Sequence, residues 1–158
     1  MQRLSHGFTL IEAMVVVAVL AILVGVAAPS FQNLIITSRV KNASFDLFSS
    51  LVFARSEAIT RNTTDGVTVA PATGGWTKGW TVKVKDSSGT VLVLKTQNEI
   101  PNITISGPGT VTYNSMGRLT ATVTPFSMTA TGARSSDGRC IRIDLSGRPV
   151  VKPGTCPS

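Results

Sequence analysis

The pattern of apolar and polar positions changes twice along the chain. From Phe8 to Ala28 only Thr9 and Glu12 are clearly polar. At about 1.5 Å per residue, a helix over this run spans roughly 30 Å, the thickness of a bilayer core. After Pro29 the apolar positions thin to a stripe. Val40, Ala43, Leu47, Leu51, Ala54 and Ala58 recur at helical spacings, and Phe48 and Ile59 widen the stripe. Arg39, Lys41, Asp46, Arg55 and Arg61 fill much of the other face. The spacing predicts one helix from about Thr9 to about Thr60, bent near Gly25 and Pro29. Its first half faces lipid or other subunits, and its second half packs on a sheet.

Asn62-Thr63-Thr64-Asp65-Gly66 breaks the helix, and the chain becomes rich in strand-forming residues. Val67–Ala70, Trp80–Lys85, Val91–Thr96, Ile103–Ile105, Val111–Tyr113, Met116–Leu119, Phe126–Thr131, Cys140–Leu145 and Arg148–Lys152 are predicted as short strands. Lys83 and Lys85 alternate with Val82 and Val84, which predicts a strand with one wet face. Asp86-Ser87-Ser88-Gly89 is a hairpin turn and Ser146-Gly147 another. The class is α+β, a long N-terminal helix on an antiparallel β-sheet region. Four segments follow: 1–7, 8–28 (the apolar half of the helix), 29–61 (its amphipathic half) and 62–158 (the β-rich region). No internal repeat and no second domain is visible.

Glu12 is the odd member of the apolar run. An acidic side chain at the centre of a membrane helix costs roughly 2.5–3.5 kcal/mol. A buried carboxylate wants a cation, and no Lys or Arg lies between Phe8 and Gln32. An N-terminal ammonium created by cleavage just before Phe8 would supply one. A plain signal-anchor helix with a tolerated glutamate is the alternative. A cleaved secretory signal fits less well, because its cleavage pattern follows the apolar core instead of preceding it.

The 158 residues suffice for one membrane helix and one ordinary domain. The net charge of +7 favours anionic partners: nucleic acid, anionic lipid or lipopolysaccharide. From Pro108 onward Arg118, Arg134, Arg139, Arg142, Arg148 and Lys152 stand against only Asp137 and Asp144. Such a cluster suits sequence-independent, salt-sensitive phosphate contacts. A solvated basic face, or contacts to other subunits, is the bland alternative. The only cysteines are Cys140 and Cys156. An even count in an exported region suggests a disulfide, worth about 3 kcal/mol for a loop of this length; two free thiols are the alternative.

Gly7-Phe8-Thr9-Leu10-Ile11-Glu12 and the apolar run behind it resemble the leader of type IV pilins and type II secretion pseudopilins. The resemblance implies a cut after Gly7 by a prepilin peptidase and N-methylation of Phe8. It also implies that Glu12 meets the terminal amine of a neighbouring subunit during assembly. Arg3 in the leader fits a cytoplasmic N-terminus.

Gly75-Trp76-Thr77-Lys78-Gly79-Trp80-Thr81-Val82, Phe53-Ala54-Arg55-Ser56-Glu57-Ala58 and Ser146-Gly147-Arg148 resemble the GspH/FimT branch of minor pilins and pseudopilins. The branch implies the type IV pilin fold and a minor subunit that primes assembly or sits near a filament tip. The partners it implies are other major and minor pilins or pseudopilins. Its location is the bacterial inner membrane, as a single pass, before assembly, and the periplasm or a cell-surface pilus afterwards. Some members bind DNA during natural transformation through a Gly-Arg-x-Arg motif. Here Gly147-Arg148-Pro149-Val150 has Val150 at the second arginine, and Lys152 follows. Gly138-Arg139-Cys140-Ile141-Arg142 has its second arginine one place late.

The expected function is therefore a minor type IV pilin that contacts double-stranded DNA through Arg134, Arg139, Arg142, Arg148 and Lys152. The alternative is a type II secretion pseudopilin with a structural role alone. The two tryptophans read as core packing at a sheet edge, with a ligand platform as the alternative. No catalytic residue, metal or cofactor is expected. The single histidine, His6, lies in the predicted leader, and no Gly-rich phosphate loop follows a strand.

Overall fold

The computed structural model describes residues 8–157, apart from the side chains of residues 26–30, 32 and 33. The predicted leader, with Gly7, lies outside them. A helix α1 runs over Leu10–Arg61. Thr9 starts it as an N-cap: its hydroxyl accepts the Glu12 amide at 3.3 Å. Asn62 ends it at φ 48°, donating its amide to Ala58 O at 3.2 Å. A short-chain amide residue tolerates this left-handed C-terminal position.

The chain divides into two compact units, residues 1–35 and 36–158. In the first, Leu10, Ile11, Met14, Val17, Leu20, Leu23 and their apolar neighbours are all exposed. A helix apolar on every side has no partner within its own unit and needs lipid or other chains. Among the described residues no helix is long and apolar enough to cross a membrane. The predicted span 8–28 runs on into residues 26–28, whose side chains lie outside the description.

The second unit holds eight strands: β1 Val67–Ala72, β2 Gly75–Lys85, β3 Val91–Asn98, β4 Ile103–Ser106, β5 Val111–Tyr113, β6 Phe126–Ala130, β7 Arg139–Ile143 and β8 Pro149–Pro153. The strands form two sheets, in the orders β3-β2-β1-β5 and β4-β6-β7-β8, and every pairing is antiparallel, so the expected helix on an antiparallel β region is what the chain adopts. One core joins them to the helix. Val40, Ala43, Leu47, Leu51, Ala54 and Ala58 are at most 1% exposed, so the 3-and-4 stripe is the buried seam of α1. Phe48 packs at its margin, but Ile59 is half exposed and falls outside it. Val69 and Val82 of the first sheet and Ile105, Met128 and Ile141 of the second face the same core.

The predicted strand Met116–Leu119 is instead a turn. The Asn114 side chain accepts the amides of Met116 and Arg118, both at 3.0 Å, and Gly117 takes φ 71°. An asparagine that bonds the backbone two residues on competes with strand pairing. Both tryptophans are core. Trp76 donates to Pro108 O at 2.6 Å and meets Phe126 edge-on at 4.7 Å, and Trp80 is 1% exposed.

The sheets' edges are treated unequally. Thr77 on β2 donates to Ile105 O and accepts from Ile105 N, which occupies the outer edge of β4 and ties the sheets together. The Thr120 amide donates to Thr112 O on β5 at 3.1 Å. Pro149 and Pro153 bracket β8.

Candidate functional site

Two places carry the residues singled out by sequence. At the N-terminus, Phe8 is 79% exposed and Glu12 lies in the first turn of α1. A carboxylate there faces the positive end of the helix dipole, worth roughly 0.3–1 kcal/mol. Thr9-x-x-Glu12 has the spacing of a capping box, of which the Thr9 half is formed. The sequence reading missed this local role, although the spacing was legible.

The second place is the β7–β8 hairpin. Alternation along β7 puts Arg139, Ile141 and Ile143 toward one face and Cys140 and Arg142 toward the other. The five basic residues therefore do not form one cluster. Arg139 is half-buried, and its Nη1 donates to Gly138 O at 2.6 Å. Arg134 stands apart before a short 3-10 turn, Ser135–Asp137, and the Asp137 carboxylate accepts its amide at 3.2 Å.

Arg142, by contrast, is exposed and pairs across the hairpin with Val150, while Cys140 pairs with Lys152. Side chains directly paired stand about 4.5–5.5 Å apart at Cβ, and diagonal ones about 7–8 Å. Arg142 and Lys152 thus share the outer face as diagonal neighbours. Arg148 is exposed at the start of β8 and lines a groove of about 480 Å³ whose other wall includes Lys41, Phe45 and Phe48 of α1. The hydroxyls of Ser127 and Thr129 on β6 and of Thr104 and Ser106 on β4 continue this face, by the same alternation and register.

Asp144 is the acid closest in sequence to these cations. The hydroxyl and amide of Ser146 hold its carboxyl below the usual range, and Arg148 adds to this. That carboxylate is spent on closing the β7–β8 turn. Cys140 and Cys156 are joined by a disulfide with Cα atoms 4.9 Å apart.

What aims the hairpin is a stack of two turns that the sequence reading did not connect. Gly147, at φ 80°, lies so close to Gly117 that a Cβ on it would come 2.0 Å from Gly117 O. The same carbonyl accepts Arg55 Nε of α1 at 2.9 Å, and the Leu119 amide donates to Leu145 O at 3.3 Å. Arg55 thus links helix, first sheet and hairpin. A polar residue set beside the apolar stripe was the available signal.

Among the described residues no group of His, Cys, Asp and Glu could hold a metal ion.

Comparison with known proteins gives a consistent picture. Residues 43–147 match the family model described as type II transport protein GspH, and residues 2–28 match the prokaryotic N-terminal methylation motif. Curated relatives include the type IV major fimbrial protein FimA of Dichelobacter nodosus, 52% identical over 40 residues. That stretch is 25% of this chain and 26% of FimA, so the match spans about a quarter of these relatives' length. Two crystal forms of the type IV minor pilin FimU of Pseudomonas aeruginosa superpose with TM-scores of 0.59 and 0.61. Their identities are 23% and 22%, over 72% and 73% of this chain and 92% and 90% of FimU, a likeness that speaks for the fold.

Proposed function

This chain belongs to the GspH family, and from that premise we propose that it is a minor type IV pilin whose β7–β8 face contacts DNA for uptake. The coarser statement stands by itself: the protein is a minor pilin or pseudopilin of GspH/FimT type, a structural subunit and not an enzyme. In the proposal, prepilin peptidase cuts after Gly7, Phe8 becomes the methylated terminus, and Glu12 docks on the amine of another subunit. Segment 8–28 then serves as membrane anchor and assembly segment, 29–61 as the amphipathic half of the rod, and 62–158 as the presented domain.

One observation carries the DNA contact: Arg142 is the direct cross-strand partner of Val150. Val150 occupies the position where the Gly-Arg-x-Arg pattern has its second arginine. A guanidinium on β7 therefore stands beside the missing one, on the same face. Arg142, Arg148 and Lys152 make a three-cation surface flanked by hydroxyls, all able to donate to phosphate oxygens. Arg134 and Arg139 are left out of this surface.

The test is binding of duplex DNA to residues 36–158 at varied salt. Three phosphate contacts predict a log–log salt slope of about −2.7, or roughly a 40-fold loss from 50 to 200 mM salt. Arg142→Ala and Lys152→Ala should each weaken binding and flatten the slope by about one unit, while Arg134→Ala should leave both unchanged. Equal effects from all three refute the assignment.

The matched family description, a type II transport protein, favours a second reading, a secretion pseudopilin with a purely structural role. Absence of DNA binding at low salt would select it.

A further inference from the structure

Two turns of this chain are built alike, Asn114–Arg118 and Asp144–Arg148. In each, the first side chain accepts the amides two and four residues on, the fourth residue is a glycine at positive φ, and the fifth is an arginine. The residues that flank each turn are paired with each other and buried: Tyr113 with Leu119, and Ile143 with Pro149. Neighbouring residues face opposite ways, so Arg118 and Arg148 both project away from the core. The two turns also touch. The Leu119 amide donates to Leu145 O at 3.3 Å. The close approach of Gly147 to Gly117 keeps the Cα atoms of Arg118 and Arg148 no more than about 11 Å apart.

The twins differ in charge. Arg148 has a carboxylate at the head of its own turn, Asp144, whereas Arg118 has the neutral Asn114 in the equivalent place. Arg118 is exposed, and its guanidinium makes no hydrogen bond or ion pair among the described residues. Beneath the same stack Arg55 gives its Nε to Gly117 O at 2.9 Å. Three arginines thus stand about two turns whose one acid, Asp144, is tied to Ser146. On the far side of β5, Asp65 is matched by Lys85 at 3.7 Å. A guanidinium with no acid to answer it keeps its rigid fork of donors free for an anion.

We propose that Arg118 is a fourth phosphate contact, set beside Arg148 by the stacked turns. This rests on the DNA contact proposed above, and it widens that contact from the β7–β8 hairpin onto the turn after β5. A duplex carries one negative charge per about 1.7 Å of its axis, so two guanidiniums up to about 11 Å apart find separate phosphates. Arg118 adds affinity and register without reading a base, as backbone contacts do.

The test is binding of a short DNA duplex to the full chain in detergent at varied salt. Four contacts predict a log–log slope of about −3.6, or roughly a 150-fold loss from 50 to 200 mM salt, against about −2.7 and 40-fold for three. Arg118→Gln should bring the slope to about −2.7 and weaken binding alike for unrelated sequences. Arg118→Lys keeps the charge and should hold the slope near −3.6. Arg134→Ala, an equal loss of charge away from the stack, should change neither affinity nor slope. The unfolding midpoint should be the same with Arg118→Gln, because the side chain has no partner to lose. A slope near −2.7 that Arg118→Gln does not move overturns this inference and leaves the contact through Arg142, Arg148 and Lys152 standing. Equal losses from Arg118→Gln and Arg134→Ala also overturn it, since net charge alone would then account for them. No binding of the duplex at low salt overturns both.

Discussion

Replacing Gly147 by alanine tests whether the Gly-Arg pair after β7 is there for the fold or only for the arginine. Two costs are separable. The first is conformational: a left-handed backbone costs an L-residue roughly 1–2 kcal/mol. Gly154, at φ 86° with nothing within 4 Å of its would-be Cβ, carries that cost alone. The second belongs to Gly147. A Cβ there starts 2.0 Å from Gly117 O, whereas real Cβ atoms keep at least 3.0 Å, so the carbonyl must retreat by about 1 Å. That carbonyl holds Arg55 Nε at 2.9 Å, and the adjoining Leu119–Leu145 hydrogen bond is already 3.3 Å long. A hydrogen bond to a charged group is worth about 1.5–3 kcal/mol and a neutral one about 0.5–1.5. Partial loss of both puts Gly147→Ala at about 3–6 kcal/mol, a large share of a typical domain stability of 5–15 kcal/mol. Urea unfolding of residues 36–158, followed by the fluorescence of the buried Trp76 and Trp80, measures both variants. The expected difference between Gly147→Ala and Gly154→Ala is about 2–4 kcal/mol. Costs equal within about 0.5 kcal/mol would refute the stacked-turn account.

Tyr113, the sole tyrosine, is fully buried, and burial pushes its hydroxyl well above the usual range despite the opposing charge of Arg55. Because the folded value lies above the unfolded one, this group leaves stability level below pH about 10 and lowers it at higher pH. Phenolate absorbance should therefore appear together with unfolding; a separate earlier titration would contradict the burial. Thr77→Val removes both bonds to Ile105 and frees the edge of β4. A loss of about 1–3 kcal/mol is expected, with more aggregation by light scattering, and unchanged stability would count against the link. Reducing the Cys140–Cys156 bond, which closes a separation of 16 residues, should cost about 3 kcal/mol in unfolding free energy, read from the shift of the denaturation midpoint. An unshifted midpoint would mean the reduced chain already keeps the hairpin closed.

The helix was legible because its signal is local and repeated. Six positions from Val40 to Ala58 share one face, and all six are buried. Ile59 misled because apolar character at a suitable spacing does not say where the stripe stops. The strands were legible as segments but not as sheets. Whether β4 pairs with β3 or with β6 depends on contacts across some twenty residues, which no window of alternation contains. Met116–Leu119 failed because Asn114 recruits the amides that a strand would need.

How the five basic residues divide between the faces of the hairpin was open to a closer reading of the sequence. Arg139 and Arg142 are three apart, and three is odd, so in a strand they face opposite ways. The pairing of Arg142 with Val150 needed the hairpin register as well, fixed by the turn at Asp144–Gly147.

The disulfide has a mechanical consequence. β8 is joined to β7 through the turn after Ile143 at one end and through Cys140–Cys156 at the other. Arg142, Arg148 and Lys152 all lie inside that covalent ring. On the proposed function, a polymer hauled against this face would pull on a strand that cannot be unzipped, because peeling needs a free end and both are bonded. The load passes through the sulfurs into β7, the strand lodged in the core. The cystine would thus let the proposed ionic contact bear tension without the hairpin tearing off first.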